Sequence, residues 1–472
     1  MPAILLIINM LTFSFALWLG LYLLARNPAK ALLRYAGLGI LAYAFSLAAE
    51  ILSENAPTIT ITAALLIAQQ FLVLLPAVFW TGALLQLLPE AAPLRTPLVR
   101  WWSRGLLPVA TLGYLFVAGV MLALDQRSGA GIVYSVLALL AFVPLLLSLG
   151  LVVRYRHSIQ PQPTLGLLLA ATLFFTLGLA LLIVPFGLLP RSWALLGIGL
   201  DLVLLDIAIA GFDAFDEGEM LLADLTRSFI AALLAALLFG LQVVLAILFG
   251  GATFAMLTLL LATVAAAITL TIFADPLQSA LDRLVFAQSP WLRRARNDAR
   301  AAASALPRLD ATLDLAHMDA AEFARLTRRA LSHYGDLPRL AANPLTRLPQ
   351  IERRLAARGM PNAILEPATE LKALLAASVA RLKPRGQADF GTADEWRHYN
   401  ALYFPYIAGL KPYSRRTPHD HLDPPIQLAL EWFQASVPER TLYNWQTAAA
   451  KLVAQDLREG IQADEGRKTK DE

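Results

Sequence analysis

Two acidic residues within an apolar stretch are the side chains with the clearest chemical potential. Asp201 and Asp206 fall in the run Ser192–Phe212, where a charged carboxylate would be costly. Such residues predict either a ligand or proton site, or a structural polar contact between helices. Five residues apart on a helix, they point in different directions and do not form an obvious pair. Gln69 and Gln70, in another apolar run, are the candidate hydrogen-bond partners.

A second candidate site is the polar face of a helix close to the end of the sequence. Helices are predicted at Pro425–Ala435 and Val437–Glu459, and Ser436-Val-Pro-Glu439 between them fits a capping box. The residues predicted to face inward on the second helix are Leu442, Trp445, Ala449, Leu452 and Val453. Its other face carries Arg440, Tyr443, Asn444, Thr447 and Lys451. This is the plan of a helix-turn-helix, and the alternative is a hairpin packed on its own domain.

Long apolar runs must position the first of these sites. Only 16% of the 472 residues are charged, against about 25% in soluble proteins, and the deficit lies before Phe273. A helix of about 20 apolar residues crosses a bilayer. We predict nine spans, with kinks at Pro76, Pro144 and Pro185. They are Ala3–Leu24, Tyr35–Leu52, Ile59–Leu88, Gly105–Leu124, Gly131–Val153, Thr164–Leu188, Ser192–Phe212, Ser228–Gly250 and Ala252–Phe273.

The basic residues of the short loops predict the orientation of these spans. They concentrate in the odd-numbered loops, at Arg26, Lys30, Arg34, Arg95, Arg100, Arg104, Arg154 and Arg156. The rule that basic loops stay inside places the N-terminus outside and the residues after Phe273 in the cytoplasm. The acidic loop Phe212–Glu219 also falls inside, where we expect it to be solvated. Docking against an arginine surface of the tail is the alternative.

The remainder of the chain is predicted to be an all-helical cytoplasmic tail. Its earlier helices are expected at Met318–His333, Pro349–Arg358, Pro367–Leu382 and Ala393–Leu402. The predicted domains are therefore an all-α polytopic membrane region (1–274), a juxtamembrane helical region (275–385) and a helix-turn-helix-like domain (386–472). At the exit from the membrane, Arg293, Arg294 and Arg296 are expected to contact lipid headgroups, or else to belong to an amphipathic helix packed on the tail.

Two resemblances to known families add to this interpretation. The run Pro438-Glu-Arg-Thr-Leu-Tyr-Asn-Trp445 resembles the start of the recognition helix in bacterial and phage helix-turn-helix regulators. The spans, with Asp213-Ala-Phe-Asp-Glu-Gly-Glu219 and Pro276-Leu-Gln-Ser-Ala-Leu-Asp-Arg-Leu-Val-Phe286, resemble the multi-span sensor regions of bacterial sensor histidine kinases. No Asp-x-Gly-x-Gly or Asn-rich ATP box follows Phe286. This resemblance therefore implies a sensor without kinase activity, and His333 is not assigned as a phosphoacceptor.

These features together predict a regulatory protein of the bacterial inner membrane. The expected partners are the lipid bilayer and either DNA, as for a membrane-tethered transcription regulator, or a cytoplasmic protein bound by the tail of a receptor or scaffold. A transporter or membrane enzyme that uses Asp201 and Asp206 is a further alternative. The chain contains no cysteine, which excludes disulfides and thiolate metal sites. We predict no metal, no cofactor and no enzymatic activity.

Overall fold

The described part of the chain is helical. The structure, a computed structural model, describes residues 3–89, 92–124, 130–159, 162–183, 191–217, 221–286, 289, 291–292, 296, 300, 314–315, 317–358, 365–385, 389–413 and 423–471. These residues contain helices and no strand, so the all-α prediction is confirmed. The chain divides into two compact units, residues 1–213 with 225–278 and residues 214–224 with 279–472. We call them the membrane unit and the tail unit.

The helices of the membrane region confirm a multi-pass membrane protein. They are α1 (Ala3–Arg26), α2 (Ala31–Ser53), α3 (Ile59–Leu72), α4 (Leu75–Leu87), α5 (Arg95–Trp101), α6 (Leu107–Leu124), α7 (Ala130–Arg154), α8 (Gln162–Ile183), α9 (Arg191–Glu217), α10 (Leu221–Gly250) and α11 (Phe254–Ile272). Within the described residues, eight helical stretches are long and apolar enough to cross a membrane. The predicted span Thr164–Leu188 corresponds to α8, whose described apolar part, Thr164–Gly178, is shorter. The predicted count of nine is therefore approximate.

Two interruptions refine the predicted spans. The third span is two helices, because α3 ends at Leu72 and Pro76 lies in the first turn of α4, where a missing N–H is tolerated. The prediction that Arg95 and Arg104 lie in a loop is wrong. A π-helical turn at Trp102–Leu106 joins α5 directly to α6, so both arginines lie on helix. Pro144 lies inside α7, and Pro185 is outside the described residues.

Helix α2 lies at the centre of the membrane unit. It packs against α1, α3, α4 and α11, and its middle is almost entirely buried. Glycine allows α1 to approach α2 closely, since a Cβ added at Gly37 would lie 2.8 Å from the backbone oxygen of Gly20. The Tyr43 hydroxyl of α2 donates to the carbonyl of Leu195 at 2.8 Å. That hydrogen bond fixes α9 against α2.

The tail unit is built from short helices around one long helix. Helix α12 (Ala274–Val285) contains the division between the two units. It is followed by α13 (Ala320–Ser332), α14 (Leu337–Ala341), α15 (Pro349–Ala357), α16 (Glu366–Arg381), α17 (Arg397–Leu402), α18 (Pro424–Ser436) and α19 (Glu439–Asp471). Asp319 begins α13 by accepting from the Ala321 backbone N–H at 2.9 Å. The predicted helices of the tail are present, with most boundaries shifted by a few residues. The predicted end of the last helix at Glu459 is wrong, because α19 continues to Asp471.

Helix α19 supplies much of the apolar core of the tail unit. Its inward face packs on α13, α15, α16 and α17 through Ala449, Ala450, Val453, Ala454, Leu457 and Ile461. The same core includes Phe323 from α13 and Leu375 from α16, both fully buried. Side chains from both sides of the predicted boundary at 385/386 therefore share one core. The predicted domain limits stay predictions.

Candidate functional site

A buried cluster of three charges joins the ends of α1 and α9. The Nε of Arg26 donates to Oδ2 of Asp213 at 2.7 Å, and Nζ of Lys30 donates to Oδ1 at 2.6 Å. The side chains of Arg26 and Asp213 are only 1% and 2% exposed, while that of Lys30 is 24% exposed. Arg26 also donates to the Tyr22 hydroxyl at 3.1 Å. One carboxylate thus binds both cations and ties α9 to α1 and to the α1–α2 connection.

Sequence reasoning did not identify this cluster. It used Arg26 and Lys30 only to orient the spans, and it placed Asp213 in a solvated acidic loop. For Asp213 that prediction is wrong, because the residue is buried, helical and ion-paired within the membrane unit. The available signal was an aspartate directly after a span, on the same predicted side of the membrane as two basic residues.

The predicted intramembrane polar residues differ in their surroundings. Asp206 is 1% exposed, and its Oδ2 accepts no hydrogen bond from any described residue. Asp201 is partly exposed, Gln69 is buried and Gln70 is partly exposed. A buried carboxyl without partners is costly in its charged form. Asp206 is accordingly the stronger of the two candidates, and its role in sensing stays a prediction.

An apolar cavity of about 420 Å³ lies between α1, α9, α10 and α11. Its aromatic wall is formed by Phe15, Trp18 and Phe229, whose rings pack edge to face or tilted. At one end the indole N–H of Trp18 donates to the Ser228 hydroxyl at 3.2 Å. The volume falls in the range of about 300–1,000 Å³ that is typical of small-molecule sites. The cavity could hold an apolar molecule that enters from the bilayer.

In the tail unit, α18 and α19 are joined by a very short turn, and we call this pair of helices the hairpin. The rings of Trp432 and Trp445 are stacked, with centroids 5.9 Å apart and planes at 16°. Phe433 and Leu442 share one buried cluster. The predicted cap at Ser436 is wrong. This residue ends α18, and the carbonyl of Pro438 accepts the first N–H bonds of α19.

The structure separates the five predicted contact residues of α19 into two groups. Arg440, Asn444 and Lys451 are exposed. Tyr443 and Thr447 are partly buried, because the guanidinium of Arg328 lies 4.2 Å from the Tyr443 ring centroid and Thr447 donates to the Tyr443 carbonyl. Of the residues predicted to face inward, Leu442, Ala449 and Val453 are buried and Trp445 is half-buried in the hairpin cluster. The prediction for Leu452 is wrong, since it is 41% exposed.

A lysine that was not connected to this face in the sequence analysis lies beside the turn. The hydroxyl of Tyr413 donates to the Val437 carbonyl at 2.7 Å, and Nε2 of Gln434 donates to the Pro412 carbonyl at 3.0 Å. These two bonds hold the exposed Lys411 next to the α18–α19 turn.

The arginines predicted to contact lipid are only partly described. Arg296 forms an ion pair with Asp282 at 3.2 Å, and its guanidinium lies 5.2 Å from the Phe286 ring centroid. Arg300 pairs with the same carboxylate at 2.5 Å. The prediction for Arg293 and Arg294 concerns residues outside the part of the chain that the structure describes. Lipid contact at these arginines stays a prediction.

No protein-family model, curated protein or solved structure matches this chain. The resemblances to sensor-kinase membrane regions and to helix-turn-helix regulators therefore stay predictions.

Proposed function

We propose that this chain is a signalling protein of the bacterial inner membrane, in which a helical bundle senses a membrane-borne signal and a cytoplasmic tail transmits it to DNA. The multi-pass bundle and its apolar cavity support the first half of the proposal. The buried carboxyl of Asp206 adds a group whose protonation could respond to a ligand. The all-helical tail with its terminal hairpin supports the second half.

The observation that carries the DNA assignment is the exposed polar face of α19. Arg440 and Asn444 lie in its first two turns, where recognition helices contact bases. Lys451 lies farther along, in a position suited to a phosphate, and Lys411 is held beside the turn. The opposite face of α19 is buried in the core of the tail unit, so the helix is rigidly supported.

This assignment predicts different effects for two substitutions. We expect Asn444→Ala to lose about 1–3 kcal/mol of discrimination between DNA sites, because a bidentate contact to a base is lost. We expect Lys451→Ala to weaken all sites alike and to reduce the salt dependence by about one charge. The measurement is a titration of the purified full chain with a random-sequence DNA pool at two salt concentrations. Gln455→Ala, an exposed change farther along the helix, is the control.

A second candidate output is a protein partner, and the charge balance of the hairpin favours it. Residues 423–459 contain five acidic and three basic residues, whereas DNA-binding surfaces are usually positive. Leu428 and Leu452 are also exposed, at 55% and 41%. If the wild-type chain does not bind DNA even at low salt, the DNA assignment fails and the protein partner becomes the better proposal.

The orientation that this function requires can be tested directly. Because the odd-numbered connections carry most of the basic residues, we expect position 300 to be cytoplasmic and position 53 to be outside. A reporter that is active only in the cytoplasm should therefore be active when fused after Arg300 and silent after Ser53. The opposite pattern at either position would contradict the proposed topology.

A further inference from the structure

A long apolar groove runs along α7 on the surface of the membrane unit. Its wall on α7 is a stripe of residues at helical spacing, Val136, Leu139, Val143, Leu147 and Leu151. From Val136 to Leu151 the helix rises about 22 Å, which exceeds the roughly 15 Å of hydrocarbon in one leaflet. The cavity volume is about 550 Å³. A single hydrocarbon chain from one leaflet can therefore lie along it.

The lining at one end of the groove is typical of a membrane interface. Leu98, Trp101 and Trp102 line it there, together with Leu151 of α7. Trp101 is 60% exposed, and tryptophan is enriched at the depth of lipid headgroups. This end of the groove therefore lies where the headgroup of a bound lipid would lie.

Three exposed arginines are close in sequence to the residues that line that end. Arg100 and Arg104 flank the tryptophan pair, and Arg154 follows Leu151 by less than one helical turn. None of their guanidinium groups forms an ion pair or hydrogen bond with another residue of the described chain. By contrast, Arg26 and Lys30 elsewhere in the membrane unit are bound to Asp213. Near one end of its lining in the sequence, the apolar groove thus has arginines without an ion-pair partner among the described residues.

We propose that this groove is a binding site for an anionic glycerophospholipid. One acyl chain lies against the stripe on α7, and the phosphate lies among Arg100, Arg104 and Arg154. Charge complementarity selects the anionic lipid, because a zwitterionic headgroup carries a compensating positive charge. The residues that line this site are different from those that line the cavity beside Trp18.

The test is native mass spectrometry of the full chain, titrated with phosphatidylglycerol or with phosphatidylcholine of the same acyl chains. We expect one phosphatidylglycerol to bind more tightly than phosphatidylcholine. Each arginine near a membrane surface contributes about 1 kcal/mol, or about fivefold in affinity. Arg100→Gln combined with Arg104→Gln should therefore weaken phosphatidylglycerol binding by about 25-fold and leave phosphatidylcholine unchanged. Arg227→Gln, another exposed arginine of the membrane unit, should have no effect.

The acyl-chain part of the site has its own matched pair of variants. Val143→Trp fills the groove and should reduce the binding of both lipids, whereas Val109→Trp on an exposed face of α6 should not. Unchanged thermal unfolding establishes that each variant is folded, and Val143→Phe replaces Val143→Trp if that variant does not fold. Equal affinity for both lipids in the wild type, or full binding by the groove-filled variant, would overturn the proposal.

Discussion

Replacing Asp213 with asparagine is expected to destabilise the membrane unit by about 3–5 kcal/mol. The change removes a carboxylate that forms ion pairs with both Arg26 and Lys30. The guanidinium of Arg26 would then keep its hydrogen bond to the Tyr22 hydroxyl but lose its ion pair with Asp213, while it remained buried. A buried cation that loses its partner is much more costly than a solvated one.

The measurement is the unfolding of the purified full chain in mild detergent, followed as the fraction of denaturing detergent is raised. Asp201→Asn is the matched control, because it makes the same chemical change on the same helix at a partly exposed residue. Combining Asp213→Asn with Arg26→Gln and Lys30→Gln should recover part of the loss, since both cations that Asp213 binds would be removed together with its charge. Equal destabilisation by Asp213→Asn and Asp201→Asn would show that the cluster does not stabilise the bundle.

The Asp213 cluster also shows what the sequence could not predict. Membrane spans were recognisable because length and apolar composition alone determine whether a helix can cross a bilayer. An ion pair between residues 26 and 213 depends instead on how α1 and α9 pack, and no local pattern encodes that packing. The same is true of Tyr43, whose hydrogen bond to the Leu195 carbonyl joins distant helices.

The predicted helix boundaries were wrong for a different reason. The run from Arg95 to Arg104 contains three arginines, and these charged residues led us to predict a loop there. Arginine is nonetheless a good helix former, and a long side chain at a helix end can reach the interface, so the helix begins earlier. At Ser436 the capping-box pattern competed with continuation of α18, and the helix continued.

The candidate DNA face was predictable in part, because it depends on one amphipathic helix. Arg440, Asn444 and Lys451 are exposed as helical periodicity predicts. The partial burial of Tyr443 could not be predicted in the same way, because the side chain that lies over its ring is Arg328 on α13. Leu452 follows Lys451 on the outer face of α19. It was predicted to face inward because it is apolar, although its position on the helix is next to an exposed residue.

The second large effect is expected in the tail unit, at Phe433. This ring is fully buried among Leu430, Val437 and Leu442, where α18 meets α19. Truncating a buried phenylalanine leaves a cavity, so Phe433→Ala should cost about 3–5 kcal/mol. The expected result is faster hydrogen exchange throughout α18 and the first turns of α19 in the full chain. Binding of the tail to its proposed partner, DNA or a protein, should be lost as well.

Leu428→Ala is the control for this change, and it also separates the two proposed outputs. Leu428 lies on the same helix but is exposed, so its removal should alter stability by no more than about 0.5 kcal/mol. Hydrogen exchange in α18 that is unchanged in Phe433→Ala would show that the buried cluster does not hold the hairpin. If Leu428→Ala instead weakens binding without changing exchange, the exposed face of α18 contacts the partner directly. That result would favour a protein partner over DNA, because an exposed leucine adds apolar area and no phosphate contact.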